Sequence, residues 1–155
     1  MTQVLAGFNQ HGVVLATDSR ATHFDVAGQP EIFNVNKLFA LGRRCGLLSG
    51  GAGVSVSLSF GLRRQIARHP CPLELEEVVE FALPFLSRGY ERHLEKHGPE
   101  AEDYRRIYFI LAGYVPDRPP PHFKMVLLGS EDNELPLRQI QTGNQIGRAS
   151  CRERV

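Results

Sequence analysis

Two segments with a helical hydrophobic period sit back to back in the middle of this chain, and strand-like segments flank them on both sides. In 54–69, VSVSLSFGLRRQIARH, the apolar residues Val54, Leu58, Leu62 and Ile66 recur every four positions, which predicts a helix. The HPCP stretch at 69–72 stops it. Segment 73–98, LELEEVVEFALPFLSRGYERHLEKHG, predicts a second, longer helix. Its first turns are acidic, its last turns are basic, and Gly98 is a natural C-cap. Pro84 should kink it. A chain ordered strands, two helices, strands is α+β, with both helices on one face of a largely antiparallel sheet.

The flanking strands follow from alternation and turn chemistry. Residues 3–9 and 12–18 read as a hairpin around an NQHG turn. Residues 23–34, with Gly28 and Pro30, read as a loop or a ragged excursion. KLFALG (37–42) and CGLLSG (45–50) predict two short strands around a GRR turn. Beyond the helices, strands are expected at 106–115, 122–129 and 135–143, with the rigid turn PDRPPP between the first two. A segment as apolar as 106–111 predicts burial on both faces, hence a further layer.

The 155 residues suffice for one domain with a sizeable core. A net charge of +1 gives no electrostatic reason to expect nucleic acid or an anionic membrane as partner. No apolar run approaches the ~20 residues of a membrane span, and the N-terminus lacks the pattern of a secretion signal. Cys45, Cys71 and Cys151 are far apart and form no CxxC pair, which fits a reducing cytoplasm and neither a disulfide framework nor a zinc site. His93 and His97 share a helix face, but among charged residues they read as a solvated face rather than a metal site. The last ten residues, IGRASCRERV (146–155), have three arginines and no periodicity. They look like translated sequencing-adapter read-through, with Gln145 at the junction. Residues 1–144 are therefore expected to form one domain, and 145–155 to be a non-native tail.

GGAGVS, before the first helix, invites a phosphate-binding reading. It lacks the lysine and hydroxyl of a P-loop and the GxGxxG pattern of a dinucleotide fold. Tight helix–strand packing is one alternative; backbone N–H groups that hold an oxyanion are another. Elsewhere, Asp18 and Arg20 stand two apart at the end of the most strand-like segment, GVVLATDSRAT, and so share a face. Each of Thr2, Asp18, Arg20 and Lys37 has an ordinary surface role when taken alone.

Together these elements resemble the start of a proteasome β-type subunit, an N-terminal-nucleophile threonine peptidase. The matching pieces are Thr2 after the initiator methionine, HGVVLATDSRAT (11–22), NVNKLFAL (34–41) and LLSGGAG (47–53), followed more loosely by YFILAGY (108–114). The resemblance implies a four-layer αββα sandwich, incomplete at its C-terminal end here. It implies peptide-bond hydrolysis through an acyl-enzyme ester on Thr2, whose α-amine, with a pKa of about 8, is its own base. Lys37 would supply positive charge beside the nucleophile, Asp18 would pair with Lys37, and Arg20 would support that cluster. Gly51 would donate its backbone N–H to the oxyanion, and Gly50 would allow the close approach. The backbone of Ala21 and Thr22 would bind the substrate peptide as an added strand. The resemblance further implies no cofactor or metal, a peptide or unfolded-protein substrate, a homo-oligomeric ring, an ATPase unfoldase as partner, and a cytoplasmic location. Nothing precedes Met1 in the sequence, so its removal alone is expected to unmask Thr2.

Three departures accompany the match. The stretch from Thr22 to Lys37 is about three residues longer than is usual in the family. Asn144 stands where the family's Gly-Ser-Gly serine would fall. The family's distal aspartate and serine would lie beyond residue 144. A non-catalytic subunit of the same ring, or another N-terminal-nucleophile amidohydrolase, remains an alternative reading.

Overall fold

The computed structural model describes residues 3–9, 12–24, 27–42, 44–97, 107–115, 122–129 and 137–140. The order among them is β1 (Val4–Asn9), β2 (Gly12–Thr17), β3 (Arg20–Phe24), β4 (Pro30–Asn34), β5 (Leu38–Ala40), β6 (Cys45–Gly51), α1 (Val54–Ile66), α2 (Leu75–His97), β7 (Ile107–Val115), β8 (His122–Gly129) and β9 (Arg138–Ile140). The class is α+β, as the element order predicts. All the strand pairs are antiparallel: β1 with β2, β3 with β4, and a five-stranded sheet in the order β5-β6-β7-β8-β9. Gly98 and the segment 141–155 lie outside the described residues.

The five-stranded sheet is covered on both faces. On one face Cys45, Leu47, Phe109 and Leu111 join a core with Leu62 and Ile66 of α1 and Leu75, Val78, Ala82, Leu86 and Tyr90 of α2. The buried α2 positions recur every three or four residues, as one helix face must. On the other face lie Leu48, Ile110 and Ala112, which are also buried. Two glycines mark the two covers. A Cβ at Gly113 would meet the carbonyl of Arg44 and the Leu75 side chain of α2, whereas one at Gly46 would meet Leu15 of β2. Strand alternation places these glycines on opposite faces. The helices therefore cover one side, and β2 packs on the other against β5, β6 and β7.

Local chemistry sets the helix ends. Glu77 accepts the Glu74 N–H at 2.8 Å, the reach-back half of a capping box, and Glu76 and Glu77 place negative charge in the first turn of α2. Arg44, before β6, bonds Glu74 at 3.1 Å. α2 continues through Pro84. Pro84 is exposed, so the carbonyl left without its N–H partner lies where water can reach it. At the far end of the sheet, Ser87 of α2 accepts the N–H of the buried Leu137, which leads into β9.

Residues 23–34 correct the sequence reading. They are not a loop: Arg20–Phe24 pairs with Pro30–Asn34 in register, with Gly28 in the intervening turn at φ +77°. Every residue of β4 is exposed, so no buried face imposes an apolar alternation on it.

Candidate active site

The side chains that the sequence singles out meet where β2 passes into β3. β2 ends at Thr17, Asp18 and Ser19 bridge the two strands, and β3 starts at Arg20. Lys37 approaches from the segment before β5 and is 5% exposed. Its Nζ lies 3.3 Å from Asp18 Oδ1 and 3.2 Å from Oδ2, and it also donates to the backbone carbonyl of Arg20. A buried ammonium needs such a set: one counter-charge, with its other protons directed at further acceptors.

Two backbone bonds hold the surrounding frame. The Ser49 N–H donates to the Lys37 carbonyl at 3.0 Å, which fixes Lys37 to the strand that carries Gly50 and Gly51. The Val35 N–H donates to the Ser19 carbonyl at 2.8 Å, tying the approach to Lys37 onto the β2–β3 bend.

Asp18 joins this frame to the N-terminal strand. Its Oδ1 accepts the Gln3 N–H at 2.9 Å as well as the Lys37 ammonium. The Gln3 carbonyl accepts the Asp18 N–H at 3.2 Å and the Thr17 hydroxyl at 3.0 Å. Partial burial pushes the Asp18 carboxyl up. The Gln3 N–H, the hydrogen bond and charge of Lys37, and the Arg20 N–H outweigh it and hold the group below its ordinary carboxylate value.

The remaining candidates fall into place unequally. Arg20 enters the cluster through its backbone, the carbonyl toward Lys37 and the N–H toward Asp18, and the residue is exposed. Ala21 and Thr22 pair with Phe33 and Ile32 in the two-stranded β3–β4 sheet. Among the described residues that sheet has no third strand, so β3 keeps an edge opposite β4. At Gly50 the close approach is made by Tyr108: a Cβ would lie 2.2 Å from its ring, and the two residues are cross-strand partners. Gly51 ends β6 at φ +86°, a backbone that only glycine adopts without strain, and α1 follows from a Gly53 N-cap with no side-chain cap. Thr2 lies outside the described residues, as do Asn144 and the expected tail.

The sequence reading missed two partners of the Asp18 carboxylate, the Gln3 and Arg20 N–H groups, and the Thr17 hydroxyl on the Gln3 carbonyl. The first two are backbone groups and leave no mark in a sequence. The third has a signal, a hydroxyl in the last position of an otherwise apolar strand.

Among the described residues no group of three or more His, Cys, Asp or Glu side chains could hold a metal ion, and no helix is long and apolar enough to cross a membrane. No protein-family model and no curated protein matches the chain.

Proposed function

We propose that the chain is a threonine-type endopeptidase subunit of a proteasome-like, self-compartmentalised protease. The observation that carries this reading is the carboxylate shared by Lys37 and Gln3. Asp18 binds the buried ammonium and the N–H of the residue after Thr2, which supports a nucleophile held beside a positive charge. In the reaction the Thr2 hydroxyl loses its proton to its own α-amine and attacks the peptide carbonyl. The tetrahedral oxygen accepts a hydrogen bond from the Gly51 N–H, the α-ammonium returns its proton to the leaving amine as the C–N bond breaks, and water then hydrolyses the Thr2 ester to free acid and hydroxyl. The edge of β3 at Ala21 and Thr22, which pairs with no strand but β4 among the described residues, supports binding of the substrate as an added strand.

On the same reading the helix layer, the five-stranded sheet and the β1–β2 layer belong to a four-layer αββα sandwich. The subunit forms a closed homo-oligomeric ring fed by an ATPase unfoldase in the cytoplasm, and its substrates are peptides or unfolded proteins.

The test uses protein from which Met1 has been removed. A peptide epoxyketone, which needs both the hydroxyl and the free α-amine, is expected to add to Thr2. Thr2→Ala should abolish both that adduct and the hydrolysis of fluorogenic peptides, while light scattering shows the same assembly. An unlabelled, inactive wild-type protein with its α-amine free would end the catalytic reading.

A further inference from the structure

We infer that the Thr17 hydroxyl is a positioning group for the N-terminal residue, acting as a clamp on the carbonyl of Gln3. The inference rests on the reading of Thr2 as the nucleophile. Thr17 is paired with Val4 in the β1–β2 register, so Gln3 stands one residue outside the ladder and is exposed. Residues just beyond a ladder fray unless they are tied down. Here both polar backbone groups of Gln3 are tied, and by two consecutive residues. Its N–H goes to the Asp18 carboxylate at 2.9 Å, and its carbonyl receives the Asp18 N–H at 3.2 Å and the Thr17 Oγ1 at 3.0 Å. The same hydroxyl also reaches the Asp18 carbonyl at 3.2 Å, so it bridges Gln3 and Asp18.

The side chain at 17 is not needed for the strand. Val or Ile would suit a β-strand end as well as Thr does. What Thr adds is one donor, within reach of the Gln3 carbonyl and of the Asp18 carbonyl. Asp18 alone holds each of the two peptide units that flank Gln3 by one bond; the hydroxyl, from a different side chain, adds a second tie to the Gln3–Val4 unit. A nucleophile one residue away then points in one direction, and small misplacements of a reacting group are costly in rate. Thr17 touches neither the substrate nor the reacting atoms, so its effect belongs in kcat rather than in KM.

Thr17→Val, which keeps the shape and deletes the donor, and Thr17→Ser, which keeps the donor, test the clamp. Three quantities are read on the full chain with Met1 removed: amide-exchange protection of Gln3 and Val4 by NMR, kcat and KM on a fluorogenic peptide, and the rate of epoxyketone labelling. Thr17→Val should lower the protection, and should lower kcat and labelling by about 3- to 10-fold with KM unchanged, the scale of one hydrogen bond. Thr17→Ser should restore both. Unchanged protection in Thr17→Val overturns the clamp whatever the activity does. Lowered protection with kcat unchanged overturns its role in positioning. A Thr17→Ser variant as damaged as Thr17→Val shows that shape, not the hydroxyl, matters, and overturns it as well. If the wild type is neither active nor labelled while Thr17→Val still loses protection that Ser restores, the clamp on Gln3 stands and the peptidase reading falls.

Discussion

Lys37 and Cys45 are both buried, and they are opposite cases of a titratable group taken out of water. Lys37 keeps a counter-charge in Asp18, whose side chain is 27% exposed and still reaches solvent. Lys37→Ala leaves that carboxylate with its backbone donors and some water, so the stability loss is expected to be about 1–2 kcal/mol, below that of a fully buried pair. On the proposed peptidase reading the loss of activity should be far larger, roughly 100- to 1000-fold, because a preorganised charge beside the reacting oxygen would be removed. Urea unfolding and peptide hydrolysis measured on the same preparation separate the two; equal activity in a folded variant would remove Lys37 from the site. At Cys45 burial alone acts, and it pushes the thiol up to about 12. Cys71 is exposed. Iodoacetamide at pH 8 should therefore modify Cys71 well before Cys45, as peptide mapping by mass spectrometry would show; equal rates in the native state would contradict the burial of Cys45. Much of this was legible at the residue scale. Taken alone the acid and the lysine had ordinary surface roles; the resemblance is what put them together, and they do pair. Arg20 contributes two backbone groups, its carbonyl to Lys37 and its N–H to Asp18, which any residue would carry.

At the scale of elements, legibility tracks burial. β6 and β7 are buried on both faces and read as apolar runs, and their observed bounds, Cys45–Gly51 and Ile107–Val115, differ from the expected ones by a residue. β4 is exposed throughout, and its Pro30 and the nearby Gly28 are turn residues, so pairing alone makes it a strand. α1 was located correctly, but its buried face was only half read. Ser55 and Ser59 are buried with Leu62 and Ile66, while Val54 and Leu58 are only partly covered. Small side chains let that end of the helix lie close to the sheet, and the Ser59 hydroxyl donates to the Ser55 carbonyl at 2.8 Å, so its burial leaves no unpaired donor. The glycines of these elements divide by what stands beside them. A Cβ at Gly113 would lie 2.6 Å from the Arg44 carbonyl and 3.3 Å from the Cys45 Cα, which are backbone atoms that cannot swing aside. One at Gly89 would meet the end of the Leu58 side chain, which can change rotamer. Gly113→Ala should cost about 1–3 kcal/mol. Gly89→Ala should fall within about 1 kcal/mol of neutral, because helix propensity offsets the repacking. Chemical denaturation of both variants checks the order; a Gly113→Ala protein as stable as the wild type would mean that β6 and β7 are farther apart than described.

For the whole molecule, the Asp18 cluster is more than a site, because it fastens the N-terminal hairpin to the rest. β2 contributes apolar packing against the central sheet, and Asp18 adds the polar tie from Gln3 to Lys37. That tie depends on pH in a direction fixed by chemistry. The carboxyl titrates below its ordinary value in the folded chain. The unfolded state therefore binds the proton more readily, and the contribution to stability is complete only above the ordinary carboxylate value. It declines as the pH falls below that value and is gone once the pH has passed through the depressed folded one. Asp18→Asn deletes the charge and leaves Lys37 facing a neutral amide. At pH 7 the variant should be less stable than the wild type by about 1–2 kcal/mol. The gap should narrow steadily through the acid range, because protonation of the wild type removes the same charge. Urea unfolding at a series of pH values from neutral to acid gives that difference directly, and subtraction cancels the other carboxylates, which titrate alike in both proteins. A gap that stays constant as the pH falls would mean that Asp18 contributes its shape and hydrogen bonds but not its charge, and the hairpin would then be held by packing alone.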